Sequence, residues 1–279
     1  MTEVVQEQPL IEIAASTGWR ALDLREIYHY RELLHVLIWR DVKVRYRQTL
    51  LGVMWVVAQP LLQMIIFTLL FNRVARIQAE ANLPYSLYIM AALVPWTFFS
   101  TGVNQASNSL IGSAHLISKV YFPRMIVPAA SVLSGVVDMV VTLGLVIVMF
   151  FWYSIGISVT FAFLPIAIAI TALFAFGCGL WLSALNVEYR DIRVVIPFLL
   201  QIWMYATPVA YPASAIPQKY RWIVEVNPMS GVIDAFRSSL LGRPLRWSSL
   251  AYSMIVAVVL AVSGAFYFRR VERQFADVL

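Results

Sequence analysis

Four cationic side chains lie within eight residues of one another, and a single acid, Asp41, accompanies them. They are Arg40, Lys43, Arg45 and Arg47. Charged N–H donors bind phosphate oxygens strongly, and arginine binds them through two parallel hydrogen bonds. The cluster is therefore a candidate for holding the pyrophosphate headgroup of a lipid. The competing interpretation is topological, because cations beside a membrane span mark its cytoplasmic side, and one residue can serve both roles.

A second set of candidate residues is aromatic. Aromatic rings offer a flat apolar face, and Tyr and Trp add a hydrogen-bond donor. Such contacts suit the C–H faces of sugar rings in a polymer that slides past them. The competing interpretation is the aromatic belt that is found at any membrane interface. The candidates are Trp96, Phe98, Phe99, Trp203, Tyr205, Tyr211 and Trp222.

Groups that could perform catalysis are sparse. The sequence has no G-x-x-x-x-G-K-[ST] phosphate loop, so we do not expect the chain to hydrolyse nucleotides of that kind by itself. The three histidines are dispersed and Cys178 is the only cysteine, so neither a metal site nor a disulfide is predicted. The acids available for proton transfer in the predicted external loops are Glu80, Glu225 and Asp234. No catalytic residue is therefore predicted.

The elements that must position these residues are membrane helices. The chain is 61% hydrophobic and 13% charged, which is too apolar for a soluble domain. No charged side chain occurs from Thr49 to Phe71, and about 20 apolar residues suffice to cross a membrane as a helix. The sequence predicts an all-α integral membrane protein with six spans, at about 50–71, 85–103, 125–152, 161–185, 194–211 and 247–268.

The distribution of cations predicts the orientation of these spans. Two thirds of the 21 Lys and Arg residues fall on the inner side of the six-span topology, and half of those precede the first span. Both termini are therefore predicted to be cytoplasmic. The net charge of +6 is explained by this topology, so nucleic acid is not a predicted partner. Residues 1–18 are predicted to form a flexible cytoplasmic tail, and residues 19–279 a single transmembrane domain.

Three segments outside the spans allow more than one interpretation. Residues 19–47 predict a helix that lies in the membrane interface, or else a solvated helix packed on a partner. Residues 104–124 predict a short cytoplasmic helix with His115 and Lys119 on one face, or else a plain connecting loop. Residues 212–246 are rich in proline but half apolar, which favours short helices that dip back into the membrane against protein.

Two features lie inside the predicted spans. Asp138 is near the middle of the third span, where a carboxylate is costly and is often functional. The alternative is a helix–helix hydrogen-bonding group or an acid nearer the interface, and it is favoured because no partner cation is evident at similar depth. Gly177 and Gly179 in the fourth span predict a close approach between helices.

Four segments carry more specific motifs: RDVKVRYRQTLLGVMWVVAQPLL (40–62), KVYFPRMIVP (119–128), NVEYRDIRVVIPFLLQIWMYATPVAYPASAIP (186–217) and NPMSGVIDAFRSSLLG (227–242). From about residue 30 to the C-terminus, and in this order, they resemble the motifs of ABC-2 type polysaccharide exporter permeases. Together they are highly specific, although each alone would be only moderately so. The family includes exporters of O-antigen (Wzm type), capsule (KpsM type) and wall teichoic acid (TagG type).

The resemblance implies a permease dimer that works with two copies of a separate ATPase subunit. ATP and Mg²⁺ would bind that subunit, so no cofactor is expected in this chain. The resemblance also implies an interfacial gate helix at about 20–47, a coupling helix against the ATPase at about 105–119, and re-entrant external gate helices at 212–246. The implied ATPase-coupling candidates are Asn108, His115 and Lys119. The implied headgroup candidates are Arg40, Lys43, Arg45 and Arg47.

The function implied by the resemblance is export of a polysaccharide on undecaprenyl pyrophosphate, or a comparable lipid, across the bacterial inner membrane. O-antigen is favoured as the polymer over capsule or teichoic acid. The chain would then be a permease subunit rather than an enzyme, with membrane lipids around it. The alternatives are a small-molecule ABC-2 exporter, a membrane glycosyltransferase and a non-transporting membrane scaffold. An ATPase reading frame beside this one would oppose the glycosyltransferase.

Overall fold

The computed structural model describes residues 28–47, 53–77, 83–189, 191–272 and 275, and the secondary structure within these ranges is helical. Its α-helices are α1 (Arg31–Arg47), α2 (Val53–Phe67), α3 (Tyr85–Gly112), α4 (Ala114–Ile117), α5 (Ile126–Trp152), α6 (Leu164–Glu188), α7 (Ile192–Ala206), α8 (Arg221–Val226), α9 (Pro228–Leu241) and α10 (Trp247–Val271). A π-helical segment extends α2, and short 3₁₀ turns precede α6 and α8: Thr68–Val74, Val159–Phe163, Ala213–Ala215 and Gln218–Tyr220. The predicted all-α class is confirmed. The predicted tail, residues 1–18, and the start of the predicted interfacial helix lie outside the described residues.

Five helical segments are long and apolar enough to cross a membrane: Met54–Val74, Tyr85–Gly112, Ile126–Trp152, Val159–Glu188 and Trp247–Val271. They correspond to the first four predicted spans and to the last one. The predicted fifth span is occupied by α7, which has 15 residues. A helix of that length rises about 22 Å, which is less than the roughly 30 Å of a hydrocarbon core. The structure therefore supports a multi-pass protein with five candidate spans and one shorter apolar helix.

Two predicted helix ends differ from the structure. The second span was expected to end near residue 103, but α3 continues to Gly112 because no proline follows Pro95 within it. Much of the predicted coupling helix, 105–119, is therefore the end of α3, and α4 is a separate helix of only four residues. The fifth span was expected to reach residue 211, but α7 ends at Ala206. Thr207 has extended backbone angles because the following residue is Pro208, whose ring disfavours a helical conformation before it.

Helix α3 is the centre of the bundle. It packs along α5 and α6, and it also contacts α2, α7 and α9. In its most apolar stretch 78% of the residues are buried, compared with 11% for the segment that contains α2. The side chains of α3 are therefore held on several sides, while α2 presents most of its surface outward.

The predicted close approach at Gly177 and Gly179 is confirmed. A Cβ atom on Gly177 would lie 2.7 Å from the backbone nitrogen of Ala261, so α6 and α10 touch through their backbones there. A Cβ atom on Gly179 would lie 2.6 Å from the Cβ of Ala106 on α3. Glycine is needed at both positions because any side chain would push α6 away from its neighbours.

Substitution of Gly177 by alanine is expected to destabilise the protein by roughly 1–3 kcal/mol, since the added methyl group meets a backbone that cannot move locally. The measurement is the apparent melting temperature of the purified protein in detergent. Gly144→Ala is the matched control, because nothing lies within 4 Å of a Cβ atom at that position. Equal melting temperatures for the two variants would contradict the backbone contact.

The bundle has two ends that differ in composition. At one end, here called the α1 end, an apolar cluster joins α1 to the C-terminal parts of α3 and α10 through Leu37, Leu110 and Phe268. At the other end, here called the α9 end, α9 packs against the first turns of α3 and α10. Each end contains a polar cavity.

Candidate functional site

An ion pair holds α1 against the bundle. The guanidinium of Arg45 donates to the carboxylate of Asp138 on α5 and to the side-chain oxygen of Gln105 on α3. It also donates to the hydroxyl of Ser134, at 3.1 Å. Both members of the pair are mostly buried, with side-chain exposures of 23% for Arg45 and 19% for Asp138. Because a partly buried carboxylate is stabilised by a facing cation, this arrangement explains how an acid is tolerated within a membrane-type helix.

The partner of Asp138 corrects the expectation drawn from the sequence, where no cation was evident at its depth. Arg45 is 93 residues away along the chain, so no local pattern connects the two. The only available signal was the basic cluster itself, together with the rule that an intramembrane acid needs a cation. Asp138 does face the bundle and form hydrogen bonds between helices, as the favoured alternative proposed.

Tyr46 adds a second bond to the same carboxylate. Its hydroxyl donates to Asp138. Burial, and then the bond to Asp138, raise the pKa of the Tyr46 phenol well above its usual value. The phenol therefore keeps its proton at physiological pH and remains a hydrogen-bond donor.

One helical turn earlier, a second polar group joins α1 to the bundle. Arg40 forms an ion pair with the neighbouring Asp41 at 2.8 Å and donates to the hydroxyl of Ser113 at 3.2 Å. The hydroxyl of Ser131 on α5 donates to the second oxygen of Asp41 at 3.1 Å. The single acid in the basic cluster thus pairs with Arg40 and also joins α1 to α5 through Ser131.

A cavity of about 750 Å³ lies between α1, α3, α5 and α7. Its charged lining consists of three arginines, Arg40, Arg45 and Arg193, and one carboxylate, Asp41. Its neutral polar lining comes mainly from α3 and includes Asn104, Gln105, Asn108, Ser109 and Ser113. The excess of guanidinium groups, together with these amide and hydroxyl donors, suits a phosphate-type anion. We call this cavity the arginine cavity.

A smaller cavity of about 230 Å³ adjoins the arginine cavity and lies between α2, α3 and α5. Arg45 and Gln105 line both cavities and form their common boundary. The smaller cavity is also lined by Gln59, Thr101 and Asp138. Polar groups thus extend from the arginine cavity into the part of the bundle where the membrane-type helices pack.

The structure separates the four cations that the sequence grouped together. Arg40 and Arg45 line the arginine cavity, whereas Lys43 and Arg47 are exposed and are not part of its lining. Arg193 at the start of α7 lines the same cavity but was not among the predicted residues. It lies far from α1 in the sequence, in the EYRDIR turn. Its positive charge was the only sequence feature that could have suggested a place in this cavity.

Comparison with known proteins identifies the family. The sequence pattern of the ABC-2 type transporter family matches residues 32–241 of this chain. The chain belongs to the ABC-2 type transporter family. It is 28% identical over 249 residues to an O-antigen export system permease protein, RfbA, from Klebsiella pneumoniae, which covers 89% of this chain and 95% of that protein.

Two further relatives also match most of this chain and most of their own length. An O-antigen export system permease protein, RfbA, from Myxococcus xanthus is 30% identical over 257 residues, with 91% of this chain and 98% of that protein covered. The polysialic acid transport protein KpsM from Escherichia coli is 20% identical over 246 residues, with 86% and 93% covered. The similarity to these ABC-2 proteins therefore extends over almost the whole chain.

Three of the seven aromatic candidates of this ABC-2 protein lie in the core of the bundle. Trp96, Phe98 and Phe99 are buried on α3. The ring of Phe99 stacks on Phe174 with a centroid distance of 4.9 Å and meets Trp203 edge-on at 5.3 Å. These rings pack inside the bundle of this single chain, and a role in lining a channel stays a prediction. Of the three α3 residues, Phe98 contributes to the smaller cavity.

The remaining aromatic candidates lie toward the α9 end. Tyr205 is exposed, and its carbonyl oxygen accepts a bond from the hydroxyl of Tyr211 at 2.7 Å. Trp222 on α8 is also exposed. Trp203 is half-buried and donates to the side chain of Asn227 at 3.0 Å. For the exposed Tyr205 and Trp222, sugar contact stays a prediction.

The three predicted coupling residues do not form one group. Asn108 is on α3, lines the arginine cavity and donates to the carbonyl of Asn104 at 2.8 Å. His115, within α4, and Lys119, just after it, are both exposed. The latter two remain available to a partner protein at the α1 end, whereas Asn108 is turned toward the arginine cavity.

A buried arginine at the α9 end was counted only as a loop cation in the sequence. Arg237 on α9 is 2% exposed, and its guanidinium lies 3.7 Å from the centroid of the Tyr88 ring. It donates to the carbonyl oxygen of Val209 at 2.8 Å. It therefore ties α9 to α3 and to the segment after α7.

Proposed function

We propose that this ABC-2 protein is the permease of an exporter that carries a lipid-linked polysaccharide across the bacterial inner membrane, with O-antigen as the polymer. The observation that carries this proposal is the 28–30% identity to O-antigen export permeases over about nine tenths of the chain. Similarity to a polysialic acid transport protein, at 20% identity, supports the broader class of polysaccharide cargo. Capsule polysaccharide is therefore the alternative cargo.

The arginine cavity is the proposed site for the diphosphate headgroup of the lipid carrier. Three guanidinium groups line it, and two carboxylates offset them, since Arg40 pairs with Asp41 and Arg45 pairs with Asp138. One cation remains in excess, and arginine binds phosphate oxygens through paired hydrogen bonds. The ion pair between Arg45 and Asp138 positions α1 beside this cavity. A headgroup that binds Arg40 and Arg45 would compete with their carboxylate partners and so change how α1 packs. Helix α1 would then act as a gate that responds to cargo.

A second copy of the chain is the proposed partner at the outward faces of α2 and α7. Only Ile196 and Leu200 of α7 are buried, and α2 exposes large apolar side chains such as Leu62 and Ile66. Membrane helices leave such faces to lipid or to another protein. With two copies joined at these faces, the path for the polysaccharide would run between them.

Two copies of a separate ATPase subunit are the other proposed partners, and they would hold the ATP and Mg²⁺. They would dock at the α1 end, where His115 and Lys119 are exposed. This orientation would put the α1 end and both termini in the cytoplasm, as the excess of cations in the sequence predicts. The segment with α8 and α9 would form the external re-entrant part.

Deletion and complementation in cells test the function and the headgroup site together. Deletion of the gene is expected to abolish surface O-antigen and to trap lipid-linked polymer on the cytoplasmic face, and chemical analysis of that polymer identifies the cargo. Complementation with the original gene should restore export, whereas Arg193→Gln should restore it to roughly a tenth or less, because one charged contact to the headgroup is lost.

Lys43→Gln is the matched control, since Lys43 is an exposed cation that does not line the arginine cavity. It should restore normal export. Normal surface polysaccharide in the deletion strain would refute the polysaccharide proposal. Equal export by the two variants would refute the headgroup site alone.

A further inference from the structure

A third cavity, of about 440 Å³, lies at the α9 end, between α8, α9, α10 and the segment that follows α7. We call it the α9–α10 pocket. Its volume falls in the range of small-molecule sites in proteins. It is separate from the arginine cavity, since the two have no lining residue in common and lie at opposite ends of the bundle.

The charges in the α9–α10 pocket are balanced. Arg221 and Arg246 supply two guanidinium groups, and Glu225 and Asp234 supply two carboxylates. Arg246 lies 3.5 Å from Asp234. Because cations and anions are equal in number, the pocket has no preference for a phosphate, in contrast to the arginine cavity. It offers charged donors and charged acceptors side by side, which is the pattern that a row of sugar hydroxyls can satisfy, since each hydroxyl both donates and accepts.

Further hydroxyl and amide groups line the same pocket. Ser248, Ser249 and Asn227 contribute polar atoms beside the charged residues. The hydroxyl of Ser230 is buried and has no hydrogen-bond partner among the described residues, although Ser230 lines the pocket. A buried hydroxyl without a partner is unfavourable, and a ligand hydroxyl would remove that cost.

The walls of the pocket are fixed in place. A Cβ atom on Gly231 would lie 2.4 Å from the carbonyl oxygen of Ser249, so the backbones of α9 and α10 touch beneath the pocket. Tyr252 lines one side, and its hydroxyl is held by the carbonyl of Val226 at 2.9 Å. With its hydroxyl engaged, the ring of Tyr252 offers an apolar face of the kind that packs on the C–H face of a sugar.

We propose that the α9–α10 pocket binds a neutral sugar unit of the exported polysaccharide on the outer side of the membrane. This inference rests on the proposed function and adds a second contact point for the polymer, away from the lipid headgroup. A sugar unit held there would slow the return of a chain that has already emerged. The pocket would accordingly favour polymers with uncharged repeats over highly anionic chains.

The test measures binding of the polymer to the full-length permease, assembled with its ATPase subunit in lipid nanodiscs. The probe is the cells' own surface polysaccharide, released from its lipid by mild acid and labelled with a fluorophore at the reducing end. Glu225→Gln and Arg246→Gln should each weaken binding by roughly tenfold, because each removes one charged hydrogen-bonding group. Lys219→Gln is the matched control: Lys219 lies in the same external segment but does not line the pocket.

Unchanged melting temperatures of the variants would establish that they fold. Ser230→Ala is a third pocket variant, and it removes only the hydroxyl that has no partner among the described residues. Equal binding by the pocket variants and Lys219→Gln would overturn the inference, as would displacement of the polymer by millimolar inorganic phosphate. Either result would leave the proposed function standing if gene deletion still traps polymer inside the cell. If deletion leaves surface polysaccharide normal, the proposed function fails first.

Discussion

Replacement of Arg237 by lysine is expected to lower the apparent melting temperature of the purified permease by roughly 5–10 °C. The Arg237 guanidinium lies over the Tyr88 ring and donates to the carbonyl oxygens of Val209 and Tyr88. Lysine keeps the charge but lacks the planar fork, so it cannot preserve both the ring contact and the two donors. A buried carbonyl left without a donor costs about 1–3 kcal/mol.

The same substitution at an exposed arginine provides the comparison. The side chain of Arg246 is 68% exposed, so Arg246→Lys should change the melting temperature by less than a degree or two. For both variants, the apparent melting temperature is obtained from the fraction of purified protein that remains monodisperse after heating in detergent. If Arg237→Lys and Arg246→Lys have the same melting temperature, then the buried network does not hold α9 in place.

Replacement of Asp138 by asparagine is expected to reduce both stability and export. Asparagine keeps an acceptor oxygen for Tyr46 but removes the charge that faces Arg45. Because both side chains are about four fifths buried, the unpaired guanidinium should cost about 2 kcal/mol. Helix α1 should then detach more readily from α5, and surface polysaccharide should fall with it.

A double-mutant cycle separates the pair from its surroundings. Arg45→Gln combined with Asp138→Asn should recover most of the lost stability, since no unpaired charge remains. Export should stay low in the double variant, because Arg45 also lines the arginine cavity. Asp191→Asn is the control, as Asp191 is an exposed acid at the same end. No difference between Asp138→Asn and Asp191→Asn would contradict the ion pair.

Much of the secondary structure could be predicted because it depends on local composition. The third span was expected at 125–152 and α5 covers Ile126–Trp152. The close approach at Gly177 followed from residue size alone, since a missing side chain allows contact between backbones. Helix ends were predicted less well where polar residues continue a helix, as at the end of α3, or where a proline stops it early, as at Pro208.

Only part of the candidate site was predicted from the sequence, because residues that are neighbours in sequence need not face the same cavity. The basic cluster was found because its members are close in sequence, but a helix directs neighbouring residues to different sides. Arg40 and Arg45 therefore reach the arginine cavity, while Lys43 and Arg47 do not. The aromatic candidates were chosen by type, and type does not distinguish a ring in a channel from a ring in the core. Phe99, which is buried against Phe174, shows the difference.

The sequence by itself determined the all-α membrane class, the ABC-2 family and the positions of five apolar helices. These features follow from composition, periodicity and local motifs, which are properties of neighbouring residues. Only the tertiary structure decided that Arg45 pairs with Asp138, that Arg193 joins the arginine cavity and that Arg237 is buried. Each of these depends on contacts between helices that are far apart in the chain. Burial at those contacts sets the free-energy cost of leaving a charged group unpaired, and it also sets whether that group can reach a ligand.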